Sequence, residues 1–238
     1  MDNAFYTALT RQSGLMAEMQ AVANNIANAN TTGFRAEGVT FAEHIKALGP
    51  NDPSLSMATA AVRQTSTVQG ALAQTGGTFD LAIEGEGFFL IQTPQGERLT
   101  RAGAFTPNEN GDLVTMDGYP VLDAGGAPVF VPQGVGTIGI APDGTISADG
   151  QPVGQIGIVM PSDPLSMTRE NGVRFAAPGG FEPAIDGRVL QGFLEDSNVN
   201  PIEQITRMIE VQRAYELGQS FMDKEDERIR GVIRTLGR

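Results

Sequence analysis

Apolar positions at the two ends of the chain recur at alternating steps of four and three, while those between them alternate or cluster in short runs. At the start, Phe5, Leu9, Gln12, Met16, Met19, Ala23 and Ile26 follow the spacing of a helical seam, with Gln12 its one polar member. A polar residue buried in such a seam fixes register, although the same spacing suits an ordinary amphipathic helix on a globular core. At the other end, Asn200, Pro201 and Glu203 read as a cap, a first helical position and a capping-box partner. No proline follows through Arg238, so the pattern predicts about 36 residues of helix, roughly 54 Å long. Its seam is expected at Ile202, Ile205, Ile209, Gln212, Gln219, Met222, Asp226, Ile229, Ile233 and Leu236. A helix that long needs another helix beside it.

Between the ends the period changes. Asp80–Ile83 alternates, and Phe88–Ile91 is a continuous apolar run suited to a strand buried on both faces. Further strands are expected at 112–116, 119–122, 128–131, 137–141, 155–160 and 188–194. They are punctuated by Gln95-Gly96, Asn110-Gly111, Asp117-Gly118, Gly125-Gly126, Asp143-Gly144 and Asp149-Gly150. Residues 35–78, broken by Gly49-Pro50-Asn51-Asp52-Pro53 and rich in Ala, Ser, Thr and Gln from Ser54 to Gln74, read as an extended connector that orders on assembly. The expected fold is α+β. Residues 1–34 and 195–238 supply the two helices of a discontinuous, coiled-coil-like domain, and 79–194 form a central antiparallel β domain.

The stretch joining the first helix to the rest is unusual. Asn24, Asn25, Asn28 and Asn30 surround Ile26, although asparagine is a poor helix-interior residue. Thr32, Gly33 and Phe34 follow, Gly33 as a left-handed turn position and Phe34 as an apolar anchor. Amides both donate and accept, so in a crowded stack of helices they can satisfy backbone groups that water cannot reach. This stretch is therefore expected to be an intersubunit joint, with Gln12, Gln212 and Gln219 bonding across chains.

Charge sharpens the division. Residues 1–75 carry five acids and four bases, 76–196 sixteen and five, and 197–238 seven and seven, so −11 of the net −12 belongs to the middle. That argues against nucleic acid as a partner and suggests an outward-facing acidic β surface that resists sticking to anionic surroundings. No run approaches the roughly 20 apolar residues of a membrane span, so no membrane insertion is expected. Met1–Thr10 lacks the basic and apolar regions of a secretory signal.

Candidate chemistry is sparse. Cysteine is absent, and His44 is the one histidine, which excludes a thiolate nucleophile, a cysteine metal site and a multi-histidine metal site within one chain. Gly134–Gly139 spells GxGxxG, but Pro142-Asp143-Gly144 follows where a phosphate-binding helix should open. Asn108–Asp112 suggests a calcium loop, yet Leu113 stands where glycine is required, so a hairpin turn is the better reading. Paired-carboxylate hydrolysis of a cell-wall glycan stays open as a different class of function, against the simpler reading of solvating charge on a β surface. No catalytic, cofactor-binding or metal-binding residue is assigned.

Several motifs together resemble the bacterial flagellar rod and hook proteins. Ala23–Phe34 is similar to the family's N-terminal ANN-aliphatic-AN-x-x-TxGF signature, and Asp80–Phe89 to its DLAIxGxGFF strand entry. Gly70-Ala71-Leu72 with Thr75-Gly76 resembles the usual lead-in, with Gly77 where asparagine is common. Thr100–Phe105 resembles TRxGxF, and Gly111–Thr115 resembles GxLVT. Leu194–Pro201 (including Ser197, Asn198, Val199 and Asn200), Met208, Ile209 and Gln212–Glu216 resemble the C-terminal SNVNPxxxMIxxxRAYE motif, which carries Arg213, Tyr215 and Glu216 into the expected interface. The opening Met1-Asp2 with Tyr6–Leu9 is most like the proximal-rod members, with the distal-rod type as the alternative. The resemblance implies a non-enzymatic, cofactor-free rod subunit that transmits torque through stacked helices. Its partners would be copies of itself, other rod proteins and, in transit, the flagellar type III export apparatus, with no cleaved signal peptide and a periplasmic location.

Overall fold

In this computed structural model the described residues are 2–46, 55–170 and 172–236, those of 2–5, 41–46 and 55–63 by backbone alone. They form two compact units, one of Met1–Ala27, Ala36–Ser66 and Asn200–Arg238, the other of Asn28–Arg35 and Thr67–Val199.

The first unit contains helices α1 (Asp2–Ala27) and α2 (Pro201–Leu236). They run antiparallel: Asn25 meets Gln204, Glu18 meets Arg207 at 2.6 Å, and Gln12 meets Tyr215. This pairing sets the start of α1 opposite the region of Glu225–Glu227. Both seams are rotated from their expected positions. On α2 the buried residue is Val211, flanked by half-buried Gln204, Met208, Tyr215, Gly218, Met222 and Glu225 in four/three rhythm. The expected Ile202, Ile205 and Ile209 stay 46–77% exposed. On α1 the buried positions are Gln12, Gly14, Leu15, Glu18, Ala21, Val22 and Asn25, whereas Leu9, Met16 and Ala23 are exposed. Polar side chains with partners on the facing elements displace large apolar ones from the contact, which apolar spacing alone does not reveal.

Residues 35–78, expected as a connector, carry a hairpin in this unit. Strands β1 (Glu37–Lys46) and β2 (Leu55–Thr65) pair from Glu37↔Thr65 to Lys46↔Leu55, with a register shift between Thr40 and Phe41. Cross-strand pairing and contact with α1 order it, and β2, in which Ala, Ser, Thr and Gln predominate, gives that little hydropathic signature.

The second unit is antiparallel β throughout its described pairings. Its largest sheet runs Thr168–Arg169, Arg174–Ala176, Gly96–Thr100, Phe88–Thr93, Ile158–Pro161, Phe181–Pro183, with Val121–Leu122 also paired to Phe88–Thr93. The central strand is buried on both faces. Phe89 and Ile91 join a core with Leu81, Ile83, Leu113, Val121, Ile146 and Val189, while Leu90 joins Leu99, Leu122, Val159 and Phe175. Asp149 and Gly150 have φ of 48° and 81°, the paired positive values that let a two-residue hairpin join Thr145–Ala148 to Gln151–Gln155. Three expected strands differ. Pro128–Val131 makes only isolated bridges, 155–160 breaks at Ile156-Gly157, and 188–194 breaks at Gly192. At Gly157 a Cβ would stand 2.5 Å from the Asp123 carbonyl carbon, so close chain approach interrupts the strand there.

Candidate assembly surfaces

At the end of α1 the asparagines serve different purposes. Asn25, 2% exposed, donates from Nδ2 to the Glu37 carbonyl (2.8 Å) and to Gln204 Oε1 (3.1 Å), and its Oδ1 accepts the Glu37 N–H (2.9 Å). One amide thus ties α1 to β1 and α2 within its own chain. Asn24 and Ile26 are half-buried and Asn30 is exposed. In the second unit, the Asn28 carbonyl accepts the Thr31 N–H and its side chain accepts the Thr31 hydroxyl, with Thr32 half-buried beyond. Gly33 has φ of 69°, and a Cβ there would lie 2.3 Å from the Ala102 nitrogen, so only glycine fits. Phe34 is fully buried, with the Arg169 guanidinium 4.3 Å from its ring centroid.

Immediately after it stands a cluster that sequence reasoning missed. Glu195, wholly buried, receives Arg35 on one oxygen at 2.9 Å and Arg101 on the other at 3.1 Å. Its first oxygen also accepts the Gly70 N–H at 3.1 Å, and its carbonyl accepts the Gly33 N–H at 2.7 Å. The arginines continue outward to main-chain carbonyls: Arg35 to Thr67 and Val68, Arg101 to Ile83 (3.0 Å) and Gly85 (2.6 Å). Burial pushes the Arg101 guanidinium down to about 10, with Glu195 pulling the other way, and burial likewise lowers Arg35. Enclosed on all sides, the carboxylate fastens chain segments rather than reacting. The conjunction of Arg35 after the TGF turn, Arg101 in TRAGAF and Glu195 before SNVNP is the available signal, but separations of 66 and 94 residues conceal the contact.

On the C-terminal side, Ser197 Oγ accepts the Val199 N–H, Asn198 Nδ2 donates to the Val68 carbonyl (2.7 Å), and Val199 is buried. Asn200 Oδ1 accepts the Ile202 and Glu203 N–H groups at 3.1 and 3.4 Å, the expected cap, with Pro201 first in the helix. Along α2, Met208 and Tyr215 turn inward, whereas Ile209, Gln212, Arg213 and Glu216 are exposed, Gln212 donating to Glu216 at 3.0 Å. Met19 is half-buried on α1; the side chains of Phe5 and His44 lie outside the described residues.

The remaining motifs assume other roles. Gly136 and Thr137 donate their N–H groups to Asp149 in a loop that leads into a strand, so GxGxxG cradles a carboxylate of the same chain. Asn108 Oδ1 accepts the Asn110 and Asp112 N–H groups, closing the hairpin turn. Among the described residues no group of three or more His, Cys, Asp or Glu is placed to hold a metal, and no helix is long and apolar enough to cross a membrane.

Comparison with known proteins follows the same three regions. Residues 5–35 match the family described as flagella basal body rod protein, 82–148 the flagellar hook protein FlgE/F/G D1 domain, and 190–235 the flagellar basal body rod FlgEFG protein C-terminal family. The flagellar basal-body rod protein FlgF of Caulobacter vibrioides is 42% identical, over 100% of this chain and 99% of the relative. The chain belongs to the flagellar basal-body rod protein family. FlgF of Rhizobium meliloti is 39% identical over 100% of this chain and 99% of its own, and FlgG of Bacillus subtilis 31% over 98% of each. As a member of the rod protein family, the chain is a structural subunit of the basal-body rod and assembles with other flagellar rod and hook components.

Proposed function

We propose that this rod subunit is of the proximal, FlgF-like type and works mechanically. Its terminal helices would pack in coiled-coil-like fashion with those of neighbouring copies and other rod proteins, and torque would pass through the packed shaft. One observation carries this reading above others: α2 buries Val211 against its own unit and leaves Ile202, Ile205 and Ile209 exposed on another face. A stripe of exposed isoleucines on a 36-residue helix fits a surface that is covered in an assembly. Its neighbours Gln212, Arg213 and Glu216 and, on α1, Leu9 and Met16 share that exposure. Greater similarity to FlgF of C. vibrioides and R. meliloti than to FlgG of B. subtilis supports the proximal type over the distal.

The acidic β unit would face outward, where like charge discourages adhesion to anionic surfaces. Passage would be through the type III export apparatus, unfolded and without a cleaved signal, to the periplasmic part of the basal body, with neither nucleic acid nor membrane insertion involved. Catalysis is not part of the proposal. One cavity in the β unit, about 500 Å³ between Pro142, Ile156, Pro183 and Arg188, brings together Asp143 and Arg188, not the two facing carboxylates a glycan hydrolase needs.

Deleting Met1–Ile26 or Gln219–Arg238 tests the reading. Basal bodies from such cells should lack the subunit and the cells should not swim. Motile cells with a normally incorporated truncated chain would overturn it.

A further inference from the structure

Of the five basic residues between 76 and 196, four are already engaged. Arg98 pairs with Glu170, Arg101 with Glu195 and Arg174 with Asp117, while Arg169 lies over the rings of Phe34 and Phe175. Arg188 differs. Among the described residues it has neither a hydrogen bond nor an ion pair, although Glu84 stands opposite it across the strand pairing. It is exposed and lines the cavity of about 500 Å³ in the β unit.

That cavity is preformed. Three main-chain hydrogen bonds fix its walls: the Val189 N–H donates to the Pro142 carbonyl, Ile156 to Gly144 and Ala184 to Ile158, each at 2.9 Å. Buried Ile156 and Ile158 form its floor, and Pro142, Pro183 and Ala184 its apolar sides. Asp143 is the other charged residue lining it. The Thr145 N–H donates to Asp143 Oδ1 at 2.9 Å and holds that carboxyl below the usual carboxylate range, so it is ionised at neutral pH. Asp143 and Arg188 each follow or precede one end of the Pro142–Val189 hydrogen bond, yet they form no ion pair with each other. Opposite charges set side by side but unjoined suit a ligand that carries an acceptor and a donor one residue's length apart. The last residue of a polypeptide has both, a carboxylate and an amide N–H, with its side chain between them.

We propose that this cavity binds the C-terminal end of a partner polypeptide whose last residue is apolar. The terminal carboxylate pairs with Arg188, the last amide N–H donates to Asp143, and the last side chain enters between Pro142, Pro183 and Ile156. The volume is in the range of ligand pockets and holds a few residues. Ile185, 94% exposed at the rim, offers the preceding residues an apolar surface. The site lies wholly within the β unit, whereas the rod reading rests on the terminal helices, so the two stand or fall separately.

Fluorescence polarisation of the full-length chain with fluorescein-labelled Ser-Gly-Ala-Leu, its carboxylate free, tests this. The peptide should bind, and its affinity should fall about tenfold or more when its terminus is amidated or when the protein carries Arg188→Gln. N-methylation of the last amide, which removes the N–H offered to Asp143, should weaken binding as well. Arg174→Gln, at an arginine of the same unit already paired with Asp117, should leave the affinity unchanged. Amide NMR shifts on binding should centre on Asp143, Ile185 and Gly187. No binding, an affinity indifferent to amidation, N-methylation or Arg188→Gln, an equal loss with Arg174→Gln, or shifts centred elsewhere overturns the site. Two of these changes alter the peptide alone, so a folding defect cannot mimic the expected result.

Discussion

Replacing Glu195 by glutamine keeps its shape and removes the charge between two buried guanidinium groups. Arg35 and Arg101 are 2% and 3% exposed, and their contacts with Glu195 are 2.9 and 3.1 Å. Removing one partner of a buried ion pair costs about 3–5 kcal/mol, because the remaining charge is left in a poorly solvating interior. Here two charges are left, so the upper part of that range is expected, a large share of the ~5–15 kcal/mol that holds a typical domain. Arg101 is already depressed to about 10 by burial despite Glu195, and losing that carboxylate depresses it further. Urea unfolding of the full chain, followed by the β-unit signal, should show a midpoint lower by roughly 2 M for a slope near 2 kcal/mol per M. A midpoint within ~0.3 M of the parent would refute the reasoning. A second variant separates charge from fastening: Glu195→Leu with Arg35→Met and Arg101→Met carries no buried charge. It strands the carbonyls of Thr67, Val68, Ile83 and Gly85 and the Gly70 N–H, each worth about 1–3 kcal/mol when buried without a partner. This triple variant should remain well below the parent; full recovery would mean that the main-chain ties contribute nothing.

The other outcomes concern single positions. Asn25→Leu should destabilise the helical unit by about 1–3 kcal/mol and speed amide exchange at Glu37, whose N–H and carbonyl both lose a buried partner. Gly33→Ala forces a Cβ into the Arg101–Ala102 peptide at a φ of 69° and should lower the β-unit's unfolding free energy by well over the ~1 kcal/mol expected of strain alone, read by urea unfolding. Asn200→Ala should cost about 1 kcal/mol and deprotect the Ile202 and Glu203 amides selectively. In a carboxyl NMR titration, Glu170 should titrate below the usual carboxylate range because Arg98 donates two hydrogen bonds to it, and Arg98→Met should return it toward that range.

Legibility follows how locally each feature is determined. The Asn200–Pro201 helix start, the buried strand at Phe88–Thr93 and the hairpin at Asp149-Gly150 are written in neighbouring residues, and the structure contains them. The inward faces of the helices differ from expectation because Glu18 and Asn25 are buried by virtue of partners on other elements, which apolar spacing cannot anticipate, whereas Gln12, the expected polar member of the seam, is buried. The β1–β2 hairpin escapes notice because its order comes from cross-strand main-chain bonds. Asn25 illustrates both sides. Its oddity in a helix points correctly to a need for its amide, while the described partners, Glu37 and Gln204, lie in the same chain. The Glu195 cluster is the least accessible, since its three charged residues are far apart in the sequence and each occurs beside ordinary turn or strand residues.

The central claim is that the exposed face of α2 is an assembly surface. Its most direct test is the double variant Ile205→Asp/Ile209→Asp, two exposed positions whose change leaves the contact with α1 untouched. The measurement is the amount of this chain in isolated basal bodies, beside a circular-dichroism spectrum of the purified protein. The account predicts an unchanged spectrum and basal bodies without the subunit. Parental amounts of the double variant in basal bodies of swimming cells would contradict it.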